Sequence, residues 1–88
     1  MDGEAISPSV AAVRAIVKLM ERGVAQGHVD GAWADEDRRM HCLKAIRHLS
    51  TYLLILDGHA PDDGENHAEN ALCRTSFILA QNAKNGDA

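Results

Sequence analysis

The sequence predicts an all-α protein of three helices, in which the last two helices form an antiparallel hairpin. Apolar residues repeat at spacings of three and four along three segments, as they do on helices with one buried face. No segment shows the alternation of apolar and polar residues that indicates a strand. Only three of the 88 residues are aromatic. The core is therefore expected to consist of Ala, Val, Ile, Leu and Met.

The length of the chain suits one domain. We expect residues 1–88 to form a single helical domain, with flexible tails at 1–6 and 84–88. With so few large side chains in its core, a lone copy would be only marginally stable. We therefore expect a homo-dimer or tetramer, in which neighbouring copies complete the helical bundle.

The first helix is predicted to begin at Ser7 and Pro8. A hydroxyl caps the helix, and proline follows at the first helical position, where its missing N–H costs nothing. Gly23 and Gly27 mark the region where this helix loosens or ends. The predicted inner stripe consists of Val10, Val13, Val17, Met20 and Val24.

The second helix follows an ambiguous segment, residues 29–34. The acidic residues 35–37 suit its positive N-terminal end, and Asp57 with Gly58 ends it. Its predicted inner stripe consists of Cys42, Ile46, Leu49, Leu53 and Leu56.

The third helix is predicted to follow a turn at Ala60 and Pro61. Asp62 and Glu65 have the spacing of a capping box, so the helix is expected to begin there and to run to about Ala83. Its predicted inner stripe consists of Ala68, Ala71 or Leu72, Thr75 and Leu79.

Composition excludes several classes of function. The net charge of −4 argues against general nucleic-acid binding, which needs clustered Lys and Arg. No segment is long and apolar enough to span a membrane, and the acidic N-terminus is unlike a signal peptide. Cys42 and Cys73 lie in apolar helical patterns, which favours buried free thiols in a reducing compartment. A single disulfide between them is the alternative. We expect a cytoplasmic protein.

A basic strip lies late in the second helix. Lys44, Arg47 and His48 are spaced so that they lie near one another on this helix and suit a phosphate or carboxylate. Each residue by itself is explained by a solvated helix face. Their position opposite an acidic loop favours a functional role, and we expect all three to bind phosphate.

The acidic loop has two interpretations. Asp62, Asp63 and Glu65 can serve as helix caps, each worth roughly 0.5–2 kcal/mol. They can also bind a hard cation such as Mg²⁺, which prefers oxygen ligands and is usually held by one or two carboxylates. Glu69 lies four residues after Glu65, and both could reach the same ion from one helical face.

Other polar and aromatic residues flank this corner. His67 and Asn70 are expected to face the second helix and, with Glu69, to support the site. The structural alternative is that these polar side chains form a buried cluster and have no role in a site. Trp33 either covers the small core or stacks on a base, as aromatic rings do.

These motifs resemble the phage-associated N-terminal-type domain of dATP/dGTP diphosphohydrolases, whose fold is that of the MazG-like all-α nucleotide pyrophosphohydrolases. The resemblance covers residues 33–80. It rests on a Trp, an Arg-His-Leu motif, an acidic loop, a helix with an early His and Ala, and a later Phe. These are Trp33, residues 47–49, residues 62–65, His67, Ala71 and Phe77.

The resemblance implies a metal-dependent dNTP pyrophosphohydrolase that uses Mg²⁺ or Mn²⁺ and gives dNMP and pyrophosphate. It assigns metal binding to Asp62, Asp63 and Glu65, phosphate binding to Arg47 and His48, and base stacking to Trp33. The family's Glu-x-x-Glu and Glu-x-x-Asp helix motifs are absent from this sequence, and His59 replaces an acidic residue. Two alternatives follow: an oligomer that binds or sequesters a nucleotide or signalling nucleotide without catalysis, and a helical protein–protein interaction module.

Overall fold

The computed structural model describes residues 6–25 and 32–86, and within these ranges it contains three α-helices and no strand. The all-α prediction is therefore confirmed. The predictions for Gly27 and for most of the two tails lie outside the described residues. The elements are α1 (Pro8–Ala25), a short 3₁₀ helix (Ala32–Asp35), α2 (Arg38–Leu56) and α3 (His67–Lys84).

Helices α2 and α3 form the predicted antiparallel hairpin. At one end, Arg38 Nη1 donates to Asn82 Oδ1 over 2.6 Å, which joins the start of α2 to the end of α3. In the middle of α2, His48 lies 2.9 Å from His67, the first residue of α3, measured between their Nδ1 atoms. The start of α3 is thus held beside the middle of α2, and α2 continues beyond this contact to Leu56.

Local signals at three helix ends act as predicted. The Ser7 hydroxyl accepts a hydrogen bond from Val10 N at 3.2 Å, and Asp37 accepts one from Arg39 N at 3.0 Å. Both bonds satisfy N–H groups that have no partner within their helix. Gly58 follows the end of α2 with a φ of 77°, a left-handed conformation that glycine adopts without steric cost.

The start of α3 differs from the prediction. Asn66 is the N-cap residue, and its side chain accepts from Glu69 N at 3.1 Å. Asp62 instead accepts from Gly64 N at 2.9 Å within the loop, and the φ of 76° at Gly64 prevents a helix from running through this point. Because Glu65 lies before the helix, it does not share a helical face with Glu69. The predicted capping box at Asp62 was therefore wrong.

The predicted inner stripes are largely exposed. Helix α3 contacts both α1 and α2, whereas α1 and α2 do not contact each other within the described residues. The helices therefore turn other faces towards α3. In the α1 stripe, four of the five residues are exposed: Val10, Val13, Val17 and Val24. In the α2 stripe, all five are exposed: Cys42, Ile46, Leu49, Leu53 and Leu56. In the α3 stripe, the exposed residues are Ala68, Thr75 and Leu79.

The buried positions hold small or polar side chains instead. No large aliphatic side chain is buried among the described residues. The buried apolar residues are Ala15, Ala45, Ala71 and Cys73, and the buried polar residues are His41, His67 and Gln81. Small side chains at the contacts allow the helices to approach closely, whereas the apolar faces of α1 and α2 are exposed in the part of the chain that the structure describes.

Two further features concern the helices as a whole. Helix α1 continues through Gly23 and ends two residues later, at Ala25. Within the described residues, no helix combines the length and the apolar character that crossing a membrane requires.

Candidate functional site

A cavity of about 410 Å³ lies where α2, the acidic loop and α3 meet, and we call it the hairpin pocket. It brings together six of the ten predicted site residues. The lining residues are Lys44, Arg47, His48, Thr51, Asp63, Glu65 and His67. Cations, imidazoles and carboxylates therefore face one shared space.

Two histidines contact each other at the wall of this pocket. Nδ1 of His48 lies 2.9 Å from Nδ1 of His67, and their ring centroids are 5.2 Å apart. His67 is buried at the first position of α3, whereas His48 on α2 is half-buried and faces the pocket. The sequence prediction that His67 faces the second helix is confirmed by this contact.

Asp63 fixes the protonation pattern of His67. The Nε2 atom of His67 lies 2.9 Å and 3.1 Å from the two carboxylate oxygens of Asp63. A carboxylate only accepts, so Nε2 carries the proton, and Nδ1 of neutral His67 holds a lone pair towards His48. The backbone N–H of Glu65 and then His67 lower the pKa of Asp63 below its usual value. Asp63 is therefore held as a carboxylate that orients His67.

Glu65 completes the group. One of its oxygens lies 3.8 Å from Nδ1 of His48, and the other lies 3.9 Å from Nδ1 of His67. Asn70 Nδ2 donates to Glu65 Oε1 over 2.9 Å, which orients the carboxylate. His48, Glu65 and His67 can each offer one ligand atom so that all three atoms lie within 4.8 Å of one another.

His48 is poised to be neutral. Burial lowers its pKa, and nearby positive groups, including Arg74 and Arg47, lower it further, whereas Glu65 opposes the shift. In the 2.9 Å contact with His67, Nδ1 of His48 is the donor, and it can offer a lone pair to a cation when the proton moves to Nε2. His48, which the sequence predicts to contact phosphate, can therefore either donate an N–H to an anion or offer a lone pair to a cation.

Two cations border the same pocket. Lys44 Nζ lies 3.8 Å from Glu36, a long and largely solvated contact. Arg47 is exposed, and within the described part of the chain no carboxylate pairs with it. The guanidinium is thus not engaged by a carboxylate, and the predicted contact with an anion stays a prediction.

Of the four other predicted site residues, Asn70 contacts Glu65 and the remaining three lie elsewhere. Asp62 lines a separate cavity of about 300 Å³. Glu69 forms an ion pair with Lys18 on α1, with 2.6 Å between Nζ and Oε1. The Trp33 ring stacks on Phe77 with centroids 5.5 Å apart and planes at 9°. None of the three lines the hairpin pocket.

The predicted site of three carboxylates is not gathered at one point. Asp62 is outside the hairpin pocket, and both oxygens of Asp63 are bonded to His67. Of the three, only Glu65 belongs to the convergent group of possible metal ligands within the described residues. This arrangement does not fit the oxygen-rich coordination that Mg²⁺ prefers.

A buried polar network near the 3₁₀ helix was not foreseen as a unit. His41 is fully buried, with Nδ1 3.1 Å from Arg74 Nη1 and Nε2 3.1 Å from the Trp33 carbonyl. Gln81 Nε2 donates to the same carbonyl over 2.8 Å. His41 and His48 are seven residues apart on α2, so both lie on the face that packs on α3. This spacing is the feature of the sequence from which their common face could have been predicted.

Comparisons with known proteins add no assignment: the chain matches no protein-family model, no curated protein and no solved structure. The argument for function therefore rests on the geometry of the pocket.

Proposed function

We propose that this protein binds a phosphorylated ligand of the nucleotide class in the hairpin pocket. The observation that carries the proposal is the convergence of Lys44 and Arg47 on one cavity with the His48, Glu65 and His67 group. Arg47 offers a planar fork of N–H donors that matches phosphate oxygens. Lys44 adds a second positive charge.

The resemblance in sequence supports the nucleotide class. Its Arg-His-Leu motif and part of its acidic loop meet at the hairpin pocket, where Arg47, His48, Asp63 and Glu65 all contribute to the lining. We therefore propose a cytoplasmic, MazG-like protein of phage type. A metal-dependent dNTP pyrophosphohydrolase, assisted by Mg²⁺ or Mn²⁺, is the catalytic form of this proposal.

Binding without turnover is the form that the geometry supports best. The three carboxylates predicted to hold the catalytic metal are not gathered, and the sequence lacks the family's paired helix carboxylates. Trp33 stacks on Phe77 outside the pocket, so base stacking by Trp33 is not part of the proposal. Sequestration of a nucleotide or signalling nucleotide requires only the pocket and its cations.

The test is to measure the affinity for dNTPs, NTPs and cyclic dinucleotides by calorimetry, in chelator and with Mg²⁺ or Mn²⁺. Arg47→Ala should weaken binding about ten- to a hundredfold, because a charge-assisted hydrogen bond is worth about 1.5–3 kcal/mol. Arg14→Ala is the matched control, since Arg14 is exposed on α1 and lines none of the described cavities.

Each outcome of this experiment decides something. Binding that depends on Arg47, with no monophosphate or pyrophosphate detected by chromatography, supports sequestration. The same binding with release of both products establishes hydrolysis. If no nucleotide binds, or if Arg47→Ala and Arg14→Ala behave alike, the proposal is wrong and the interaction-module alternative takes its place.

We further propose that a second copy of the chain covers the apolar face of α2. Among the described residues, fourteen large apolar side chains are exposed, and five of them form this face: Leu43, Ile46, Leu49, Leu53 and Leu56. A second copy of the chain suits this face, because the interfaces of obligate homodimers are more hydrophobic than the rest of the surface.

The oligomeric state in solution tests this interface. Light scattering should give at least a dimer for the wild type, and Leu53→Glu should reduce the mass to that of a monomer because it buries a charge in the interface. Leu79→Glu is the matched control, being equally apolar and exposed but on α3. A monomeric wild type, or an unchanged mass for Leu53→Glu, would overturn the interface.

A further inference from the structure

We propose that His48, His67 and Glu65 bind a divalent transition-metal ion of the Zn²⁺ type, through the two Nδ1 atoms and one carboxylate oxygen. The ion would have an open coordination position towards the hairpin pocket. This inference deepens the proposed function and rests on it only for the ligand at the open position. The protein ligands themselves are argued from the geometry alone.

The distances suit such an ion. A tetrahedral Zn²⁺ with bonds of about 2.0–2.1 Å separates its ligand atoms by about 3.3 Å. The two Nδ1 atoms are 2.9 Å apart. One oxygen of Glu65 lies 3.8 Å from Nδ1 of His48, and the other lies 3.9 Å from Nδ1 of His67. One ligand atom from each residue can be chosen so that all three lie within 4.8 Å of one another. The separation of the nitrogens is slightly shorter than the required one, and the separations from Glu65 are longer, so a small movement of the Glu65 carboxylate towards the two rings completes the coordination sphere.

The surroundings orient the ligands as metal sites require. A histidine that binds a metal usually donates its other N–H to a carboxylate, which fixes the tautomer. His67 does this through Nε2 to Asp63, so its Nδ1 lone pair faces His48 and Glu65. Asn70 holds the Glu65 carboxylate through Oε1. Burial of His67 fixes the position of this ligand further.

The chemistry of the donors selects the class of ion. Two imidazole nitrogens and one carboxylate suit Zn²⁺ and its neighbours, whereas Mg²⁺ prefers six oxygen ligands. Mn²⁺ accepts the same donors but binds more weakly in the divalent series. The predicted carboxylate site for Mg²⁺ or Mn²⁺ is thus replaced by a site in which Asp63 supports a histidine ligand.

The open position faces the cations of the pocket. Lys44 and Arg47 line the same cavity as the three ligands. A phosphate oxygen of a nucleotide can occupy the open position while the remaining oxygens contact these two side chains. Three protein ligands with one free position are the arrangement of zinc sites that bind or activate an exchangeable ligand.

The test uses the full chain without a histidine tag, stripped of metal by chelation and kept free of nucleotide. Zn²⁺ and Co²⁺ are titrated by calorimetry, and bound Co²⁺ is followed by its visible absorption. We expect one ion per chain, and we expect excess Mg²⁺ not to displace it. The absence of saturable binding, or displacement by Mg²⁺ at similar concentrations, would overturn the inference.

Matched variants locate the ion. His48→Gln and Glu65→Gln each remove a ligand while retaining a polar side chain, and each should weaken Zn²⁺ binding at least tenfold. His59→Gln is the control, because His59 is exposed in the loop and belongs to no possible metal group among the described residues. Equal effects of His48→Gln and His59→Gln would place the ion elsewhere and overturn the inference.

Asp63→Asn tests the orienting role. Loss of the carboxylate that holds His67 should weaken Zn²⁺ binding about ten- to a hundredfold and alter the Co²⁺ spectrum, with the helix content by circular dichroism unchanged. An affinity and a spectrum identical to the wild type would contradict the proposed arrangement.

Metal binding without nucleotide binding would sustain this inference while the proposed function fails. Nucleotide binding in chelator, with no saturable Zn²⁺ binding, would do the reverse.

Discussion

Arg74 Nη1 donates to Nδ1 of His41 over 3.1 Å, in the buried contact between α3 and α2. On the other side of the ring, Nε2 lies 3.1 Å from the Trp33 carbonyl. A guanidinium only donates and a carbonyl only accepts, so both bonds form only when His41 is neutral and carries its proton on Nε2. Arg74 is itself held by Glu36 at 3.3 Å. This network joins α2, α3 and the 3₁₀ helix.

Removing the ring of His41 should destabilise the protein strongly. His41→Ala leaves a cavity and deprives Arg74 of an acceptor, so the free energy of unfolding should fall by about 2–4 kcal/mol. Urea unfolding followed by circular dichroism measures the change. His59→Ala, at an exposed loop position, should change it by less than about 0.5 kcal/mol. Similar values for the two variants would show that the network contributes little.

The cap of α3 should be found at Asn66. Asn66→Ala removes the acceptor for Glu69 N and should lower the free energy of unfolding by about 1 kcal/mol. Asp62→Ala removes a bond within an exposed loop and should cost less. Both values come from the same urea experiment. A larger loss for Asp62→Ala would favour the capping box that the sequence indicated.

The two thiols should differ in reactivity. Cys42 is exposed, whereas Cys73 is buried, and burial raises the pKa of the Cys73 thiol against the opposing effect of Arg74. Because the thiolate is the reactive form, a thiol reagent near neutral pH should label Cys42 quickly and Cys73 slowly. Mass spectrometry after brief labelling of the wild type and of Cys42→Ser gives the two rates. Fast labelling of Cys42→Ser would contradict the burial of Cys73.

Trp33 should report on its stack with Phe77 and not on a bound base. It is the only tryptophan, so its fluorescence is unambiguous. Phe77→Ala should shift its emission to longer wavelength, because the ring loses its stacking partner and gains contact with water. Nucleotide added to saturation should leave the emission of the wild type nearly unchanged. Strong quenching by nucleotide would restore the predicted role in base stacking.

Part of the candidate site followed directly from residue types and spacing. Arg47 and Lys44 near an acidic loop, with His67 facing the second helix, describe the hairpin pocket before its geometry is known. The convergence of His48, His67 and Glu65 was not predicted. The spacing of residues along the sequence shows which side chains share one face of a helix. It does not show which atoms of two helices and a loop meet at one point, because that depends on how these elements pack.

The sequence alone determined the helices and most of their ends. Ser7, Asp37 and Gly58 act through bonds or backbone angles that involve only neighbouring residues, so their signals are complete within a few positions. Which face of each helix is buried was decided by the tertiary structure. Periodicity identifies an apolar stripe but not its partner, and α3 packs against α1 and α2 through small and polar side chains. The burial of His41 and the start of α3 at Asn66 depend in the same way on contacts and angles outside any single helix.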